Sequence, residues 1–444
     1  MSAKSDRPEP DFPQEPISAL GSPLQKFLHT ETSGGLVLLV ATVIALALAN
    51  SPLASAFESI WQTKIGLRLG DIVWDHTLRH WINDGLVTIF FFVVGLELKR
   101  EIVMGELRDP RAAVFSIAAA IGGMLVPAAL YLVLVQGVLP PQPQAAAGWG
   151  TVMATDIAFA VGCMALLGRR VPVGLRVFVL ALAIVDDIGA ILVIAFGYSH
   201  GFEVVPFGLA VGGLLVMLAM RALGIRPMVA YWAVGVLIWL ALEQSGVHPT
   251  LAGVAIGVLT PVKPWVGEAR LAHFLEWARS IGREPVEEEA TPMPVRQKLA
   301  RAAVESLSPQ QRLESALHPW SAFLVLPLFA LANAGVGVTV GAITEPIALA
   351  IVAGLAVGKP LGVFIASWLA VRLKLAHKQA DISWPMVLGA GALAGIGFTM
   401  SLFIATLAFD EAALRSAKVG ILAASLISGV VGMALLLAFS RRRG

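Results

Sequence analysis

Between Val171 and Ala195 the chain runs mostly through Val, Leu, Ile, Phe, Ala and Gly, and in the middle of that run two aspartates, Asp186 and Asp187, stand side by side. As a helix the segment reaches ~38 Å, more than the ~30 Å hydrocarbon core of a bilayer. A charge at such depth costs roughly 2.5–3.5 kcal/mol even on lenient insertion scales. Two adjacent acids there need a compensating reason. The best one is a job in which a carboxylate gains and loses a cation.

The rest of the chain agrees with a membrane setting. Of its 444 residues 57% are hydrophobic and only 14% charged, and the mean hydropathy is +0.79. A soluble domain carries about 25% charged residues. The chain therefore reads as a polytopic, all-helical membrane protein. The polar, Pro-rich N-terminus MSAKSDRPEPDFPQEP has no apolar h-region, so no cleavable signal peptide is expected. One cysteine, Cys163, excludes an intrachain disulfide and a Cys-rich metal site. A net charge of +2 gives nucleic acid no electrostatic hold. No phosphate-loop motif G-x-x-x-x-G-K-[ST] is present, so nothing points to a nucleotide.

Apolar stretches predict about twelve spans, near 34–50, 79–104, 115–137, 149–167, 172–196, 204–221, 228–243, 248–262, 318–335, 345–371, 385–409 and 416–440. With the N-terminus in the cytoplasm, inside segments hold 25 Lys and Arg and outside segments 5. That bias fits the positive-inside rule and puts both termini in the cytoplasm. Residues 263–317 form the one long connection. Its REPVEEEATPMPVRQK portion reads as a solvated, flexible linker. Its RLAHFLEWARSIG portion reads as a short helix, interfacial or simply solvated. After the first span, TKIGLRLGDIVW alternates apolar residues up to Gly70-Asp71, the pattern of a small outside hairpin.

Ionisable groups inside spans carry the functional argument. Asp186 and Asp187 point ~100° apart on a helix. One can thus face a wet cavity while the other meets a basic partner; the plainer reading is a structural ion pair and a polar helix contact. Lys359, in AVGKPLGVF, is the one lysine well inside a span and the natural partner for a buried aspartate. Gly358 and Pro360 beside it predict a local kink. Thr155 and Asp156 sit in a short, Gly-flanked span, and GAGALAGIGFTMSLFIA is also broken by glycines. Two interrupted spans point to a transporter site, with Asp156 balancing positive half-helix ends and Lys359 negative ones; the plainer reading is close small-residue packing. Glu97 and Glu101 share one helix face near Lys99 and Arg100, as a snorkelling end cluster or the mouth of a cation path. Asp84, His248 and Glu314 complete the set, His248 with a ring that titrates near physiological pH.

A carboxylate in a wet, membrane-embedded cavity holds either a proton or a small hard cation. Na⁺ and Li⁺ favour oxygen ligands, by the logic of other hard cations. If the aspartates open to each side in turn, this competition yields exchange without bond chemistry. Three rivals remain. A sodium-coupled symporter of small organic anions on a related fold would need a larger polar cavity. A retinal-type pump would use Lys359 as its Schiff base but has seven spans. An intramembrane aspartyl protease would need a G-x-G-D motif, which is absent.

The motifs WINDG, FFFVVGLELKRE, TDIAFAVG, ALAIVDDIGAI, SGVHPTLAGV, LHPW, LPLFALANAGV, GKPLG and AGIGFTMS together resemble the bacterial NhaA sodium/proton antiporters, across roughly residues 30–440. The resemblance implies an all-α fold of twelve transmembrane helices. Spans three to five and ten to twelve would be inverted repeats, and the discontinuous spans four and eleven would cross near the site. It implies a proton and cation (Na⁺) site at Asp186 and Asp187, with Lys359 as pairing lysine and Thr155 and Asp156 as further cation-site residues. It ties Glu97, Glu101, His248, Glu314 and Asp84 to the pH response. It makes the hairpin near Lys64–Trp74 a homodimer contact. The implied activity is electrogenic, alkaline-activated exchange of Na⁺ or Li⁺ for H⁺ in the inner membrane, by a transporter that is not an enzyme and uses no cofactor. The implied partners are these ions and membrane lipid. The layout would be a cytoplasmic tail (1–30), spans one to eight (31–262), a cytoplasmic linker (263–317), spans nine to twelve (318–440) and a basic tail (441–444). The 263–317 loop is longer and more acidic than is usual in that family.

Overall fold

The computed structural model describes residues 31–69, 72–105, 110–142, 144–199, 201–225, 228–281, 293–337, 340–379 and 381–440. The two expected tails and the Gly70-Asp71 turn lie outside the described residues. Helices dominate, as they must where no water is present to satisfy backbone groups. Among the described residues, six helices are long and apolar enough to cross a membrane, and up to nine segments qualify if three bent pairs count as single spans. Two shorter apolar helices, Met228–Gln244 and Thr250–Leu259, lie beside them. Helix Val87–Met104 carries Glu97, Lys99, Arg100 and Glu101 toward its C-terminal end. Leu209, Leu215, Val229 and Leu237 are all more than 60% exposed. Such outward apolar faces need lipid rather than water as their solvent.

Several boundaries differ from expectation for identifiable reasons. The first helix, Glu31–Ala49, stops ahead of Pro52, within one residue of the expected end. The chain then turns by 116° into a helix that hydropathy did not reveal, Ala54–Gln62. Phe57 and Trp61 anchor it edge to face at 5.6 Å. The ninth expected span begins at Pro309, not near 318, because Ser308 and Gln311 form a reciprocal capping box. The 263–317 segment is largely helical where described. Helices Glu268–Ile281 and Met293–Ser306 pack together, and Lys298 Nζ lies 5.7 Å from the Trp277 ring centre. The flexible-linker reading is thus corrected over Met293–Lys298. The hairpin forms as expected, with strands Lys64–Leu69 and Ile72–Thr77 antiparallel, Lys64 opposite Thr77 and Leu69 opposite Ile72.

Three features position the interior site. Helix Val173–Gly197 is the most buried of the long apolar helices, at 67%. Helices Pro110–Val133 and Lys359–Arg372 approach backbone to backbone: a Cβ on Gly122 would meet Gly362 O at 2.3 Å, and one on Gly362 would meet Gly122 O at 2.1 Å. Only two glycines allow that spacing. Two bent pairs, Ala145–Val152 with Ile157–Leu166 (44°) and Trp384–Ala394 with Phe398–Ala408 (47°), break at nearly equal angles. The expected disturbance near Lys359 is a π-helical turn, Ala353–Gly358, ending just before the lysine. Such turns recur at functional positions.

Candidate functional site

The two breaks interlock. Asp156 caps helix Ile157–Leu166 by accepting from Phe159 N–H at 3.1 Å. Its other oxygen accepts from Thr399 N–H at 3.0 Å and from the Thr399 hydroxyl at 2.6 Å, at the start of helix Phe398–Ala408. Asp156 N–H donates to Ile396 O at 2.6 Å. One carboxylate therefore serves the positive N-terminal ends of both second half-helices. Thr155 Oγ1 lies 2.8 Å from Ala394 O, at the negative end of the opposing half-helix, and 2.7 Å from Asp186 Oδ2. Its single hydroxyl proton serves one of the two at a time.

Lys359 Nζ lies 2.8 Å from Asp186 Oδ2, with both side chains fully buried. The ammonium also donates to Met153 O, at the C-terminal end of Ala145–Val152. Lys359 thus joins an aspartate to a half-helix carbonyl end, the place where the macrodipole favours a cation. Asp187 differs from its neighbour. It is 2% exposed, its Oδ1 has no hydrogen-bond partner, and no ion pair reaches it among the described residues. The charges of Asp186, Glu97, Asp156 and Lys359 act on it. Asp186 Oδ1 is likewise buried without a hydrogen bond. Burying a carboxylate unsatisfied is costly. Each of these two adjacent residues thus keeps one buried carboxylate oxygen without a hydrogen bond.

The remaining residues fall into two groups at opposite ends of helix Val87–Met104. From Asp84 to Glu97 the helix runs ~20 Å. At one end, Arg100 pairs with Glu314, and Gln310 Nε2 donates to Glu314 Oε2 at 2.8 Å and to Leu96 O at 3.2 Å. The charges of Glu314, Arg100 and Glu101 act on Glu97, which in turn acts on Asp187. At the other end, His248 Nε2 lies 3.9 Å from Asp84 Oδ1 while its Nδ1 meets Thr250 Oγ1 at 2.8 Å.

Sequence reasoning missed three partners. Thr399 had a signal, a hydroxyl directly after the glycine break of AGIGFT. The carbonyls of Met153 and Ala394 had none, because every residue carries one. A cavity of about 900 Å³ bordered by Trp81, Met217, Arg221, Trp232, Trp239 and Arg312 includes none of the interior aspartates in its lining.

Similarity to known proteins follows the same lines. The family described as Na⁺/H⁺ antiporter 1 matches residues 25–436. The chain is 48% identical to a Na⁺/H⁺ antiporter NhaA of Rhizobium meliloti (strain 1021), over 97% of this chain and 98% of the relative. It is 48% identical to Na⁺/H⁺ antiporter NhaA 1 of Acidiphilium cryptum (strain JF-5), over 97% of this chain and 95% of the relative. It is 50% identical to Na⁺/H⁺ antiporter NhaA 2 of Sorangium cellulosum (strain So ce56), over 93% and 89%. Near-complete coverage at this identity, together with apolar helices and the interlocked breaks, places the chain in the NhaA-type Na⁺/H⁺ antiporter family.

Proposed function

We propose that this chain exchanges Na⁺ or Li⁺ for H⁺ across the bacterial inner membrane by alternating access at Asp186 and Asp187. The names of its relatives supply the exchange of Na⁺ and H⁺. The observation that carries the residue assignment is the asymmetry of the pair: Asp186 is held by Lys359 and Thr155, and no ion pair among the described residues reaches buried Asp187.

In this reading Asp187 is the primary ligand. It holds a proton when open to the acidic outside and releases it to Na⁺ when open to the alkaline cytoplasm. Asp186 is the second carboxylate, and Thr155 and Asp156 complete the cation site. The ion displaces the Lys359 ammonium from Asp186 or leaves it there, so lysine and cation compete for the same oxygens. The exchange is electrogenic when a second proton accompanies that of Asp187 against one Na⁺, and the group that can supply it is the Lys359 ammonium once the cation displaces it from Asp186. No cofactor takes part.

The architecture suited to this task has twelve spans with both termini cytoplasmic. Residues 110–197 and 346–440 each run long helix, bent pair, long helix, which supports assigning them as inverted repeats whose broken members cross. Its layout is a tail, spans one to eight, a connection, spans nine to twelve and a basic tail, with the helix of span nine starting at Pro309 inside the expected 263–317 connection. Glu97, Glu101 and Glu314 form the cytoplasmic funnel that senses pH. Asp84 and His248 form its counterpart on the hairpin side. The hairpin serves as the homodimer contact.

Dissipation of a preset ΔpH in everted membrane vesicles tests this function. Na⁺ and Li⁺ should collapse the gradient increasingly as pH rises, while K⁺ leaves it intact. An equal response to K⁺, or none to Na⁺, would overturn the assignment.

A further inference from the structure

Far from the interior aspartates, where the hairpin joins helix Val87–Met104, two histidines and a glutamate converge. His76 is the penultimate residue of the second strand. Thr77 then caps one tight turn, its hydroxyl accepting from His80 N–H at 3.2 Å. This connection stacks the two imidazoles at 4.1 Å with an interplanar angle of 19°. Glu243, at the end of helix Met228–Gln244, points its Oε1 at both rings. Oε1 lies 3.4 Å from His76 Nε2 and 3.3 Å from His80 Nε2.

These distances are long for N–H···O hydrogen bonds, whose mode is about 2.9–3.0 Å. They match the edge of a tetrahedron around zinc, which bonds of ~2.0–2.1 Å make about 3.3–3.4 Å. The three ligand atoms all lie within 4.8 Å of one another. Glu243 Oε2 is buried without a hydrogen-bond partner, so the carboxylate keeps a lone-pair face in reserve. Glu243 is 13% exposed and both histidines 31%, so the cluster is partly buried yet reachable by small ions.

The surroundings are those of a metal site. His80 turns its other nitrogen, Nδ1, toward Asp84 Oδ2 at 3.5 Å. A carboxylate behind a ligating histidine fixes its tautomer and raises its basicity. Trp81 holds the hairpin in place: its indole N–H donates to Ile65 O at 2.8 Å, and its ring stacks on Trp239 at 6.3 Å.

We propose that His76, His80 and Glu243 bind one divalent transition-metal ion, best suited to Zn²⁺, with water as fourth ligand. Two imidazoles and one carboxylate with an open position are an established zinc donor set, and three borderline-to-hard ligands of this kind do not select Na⁺. The bound ion ties the hairpin to the far end of helix Met228–Gln244 and places its charge beside Asp84. The site is independent of the exchange site and needs no assumption about it.

Metal titration of the full-length, tag-free, chelator-treated protein in detergent tests the proposal. Zn²⁺ should bind saturably at one ion per chain. Co²⁺ in its place should show the intense visible bands of a four-coordinate ion. His76→Asn and Glu243→Gln should each weaken Zn²⁺ at least tenfold, and Asp84→Asn by about 10–100-fold. In metal-free buffer, His76→Asn should retain wild-type Na⁺/H⁺ exchange, which certifies its fold. Absence of one-to-one binding, a six-coordinate Co²⁺ spectrum, or unchanged affinity in both ligand variants would overturn it. The Co²⁺ spectrum of the unaltered protein decides the matter even if every variant misfolds.

Discussion

The Lys359 ammonium stands 2.8 Å from Asp186 Oδ2 in a fully buried ion pair, while the next residue, Asp187, has no such partner among the described residues. Adjacent positions on one helix thus differ in kind. The first is neutralised and fixed, and the second stays open.

Removing the lysine strands a buried carboxylate and uncovers the Met153 carbonyl. Breaking a buried pair from one side costs about 3–5 kcal/mol, whereas replacing both partners by apolar groups is often neutral. Lys359→Ala should therefore lower the melting temperature in detergent well below wild type. Lys359→Met combined with Asp186→Leu should recover most of that loss. Equal melting of Lys359→Ala and wild type would show that the pair contributes nothing.

Asp156 and Thr399 join the two broken spans through two hydrogen bonds. Groups in one network couple by about 0.5–3 kcal/mol in a double-mutant cycle. Asp156→Ala and Thr399→Val should therefore cost less together than the sum of the single losses. Strict additivity in thermal or denaturant unfolding would mean that the breaks are held by other contacts.

The close helix crossing predicts opposite effects for one substitution at two glycines. A Cβ at Gly362 would run into Gly122 O at 2.1 Å, whereas at Gly208, inside helix Val204–Ala222, it would meet nothing within 4 Å. Overpacking of this kind typically costs about 1–3 kcal/mol. A helix-interior glycine is worse than alanine by roughly 0.5–1 kcal/mol. Gly362→Ala should melt lower than wild type and Gly208→Ala slightly higher. The same sign for both would contradict the packing.

Outside the spans, Glu58 titrates in a defined direction. Partial burial pushes its carboxyl up, but hydrogen bonds from Arg79 and Gln62 outweigh that and hold it below the ordinary value. Since the folded value is depressed, the pair stabilises the fold above the unfolded pKa of ~4.3 and loses that contribution as pH falls further. Glu58 is half exposed, so solvent screening keeps the effect to at most about 1 kcal/mol. Glu58→Gln should melt slightly below wild type at pH 7, with the difference vanishing near pH 3. A gap that persists in acid would assign it to packing instead.

How much of this was legible before folding depends on the kind of atom involved. Asp186, Asp187 and Lys359 stand out because a charge in an apolar run is expensive, so its presence is already information. The glycines around Thr155 and along 389–397 marked the breaks, though not their crossing. The carbonyls of Met153 and Ala394 left no trace, because only tertiary structure singles out one carbonyl among hundreds. The helix start at Pro309 was written in the Ser308–Gln311 capping box, yet hydropathy hid it behind polar residues. His76, His80 and Glu243 meet across a sequence separation of 163 residues, which local pattern cannot bridge.

The central claim is that Na⁺ and H⁺ compete for Asp187, and radioactive Na⁺ binding to the purified protein as a function of pH tests it most directly. Displacement of the Asp187 proton alone should change apparent Na⁺ affinity by about tenfold per pH unit, and loss of a second proton from Lys359 should steepen that slope. Asp187→Asn should abolish saturable binding at every pH while keeping a folded melting transition. Na⁺ affinity that is independent of pH, or unchanged in Asp187→Asn, would contradict the account.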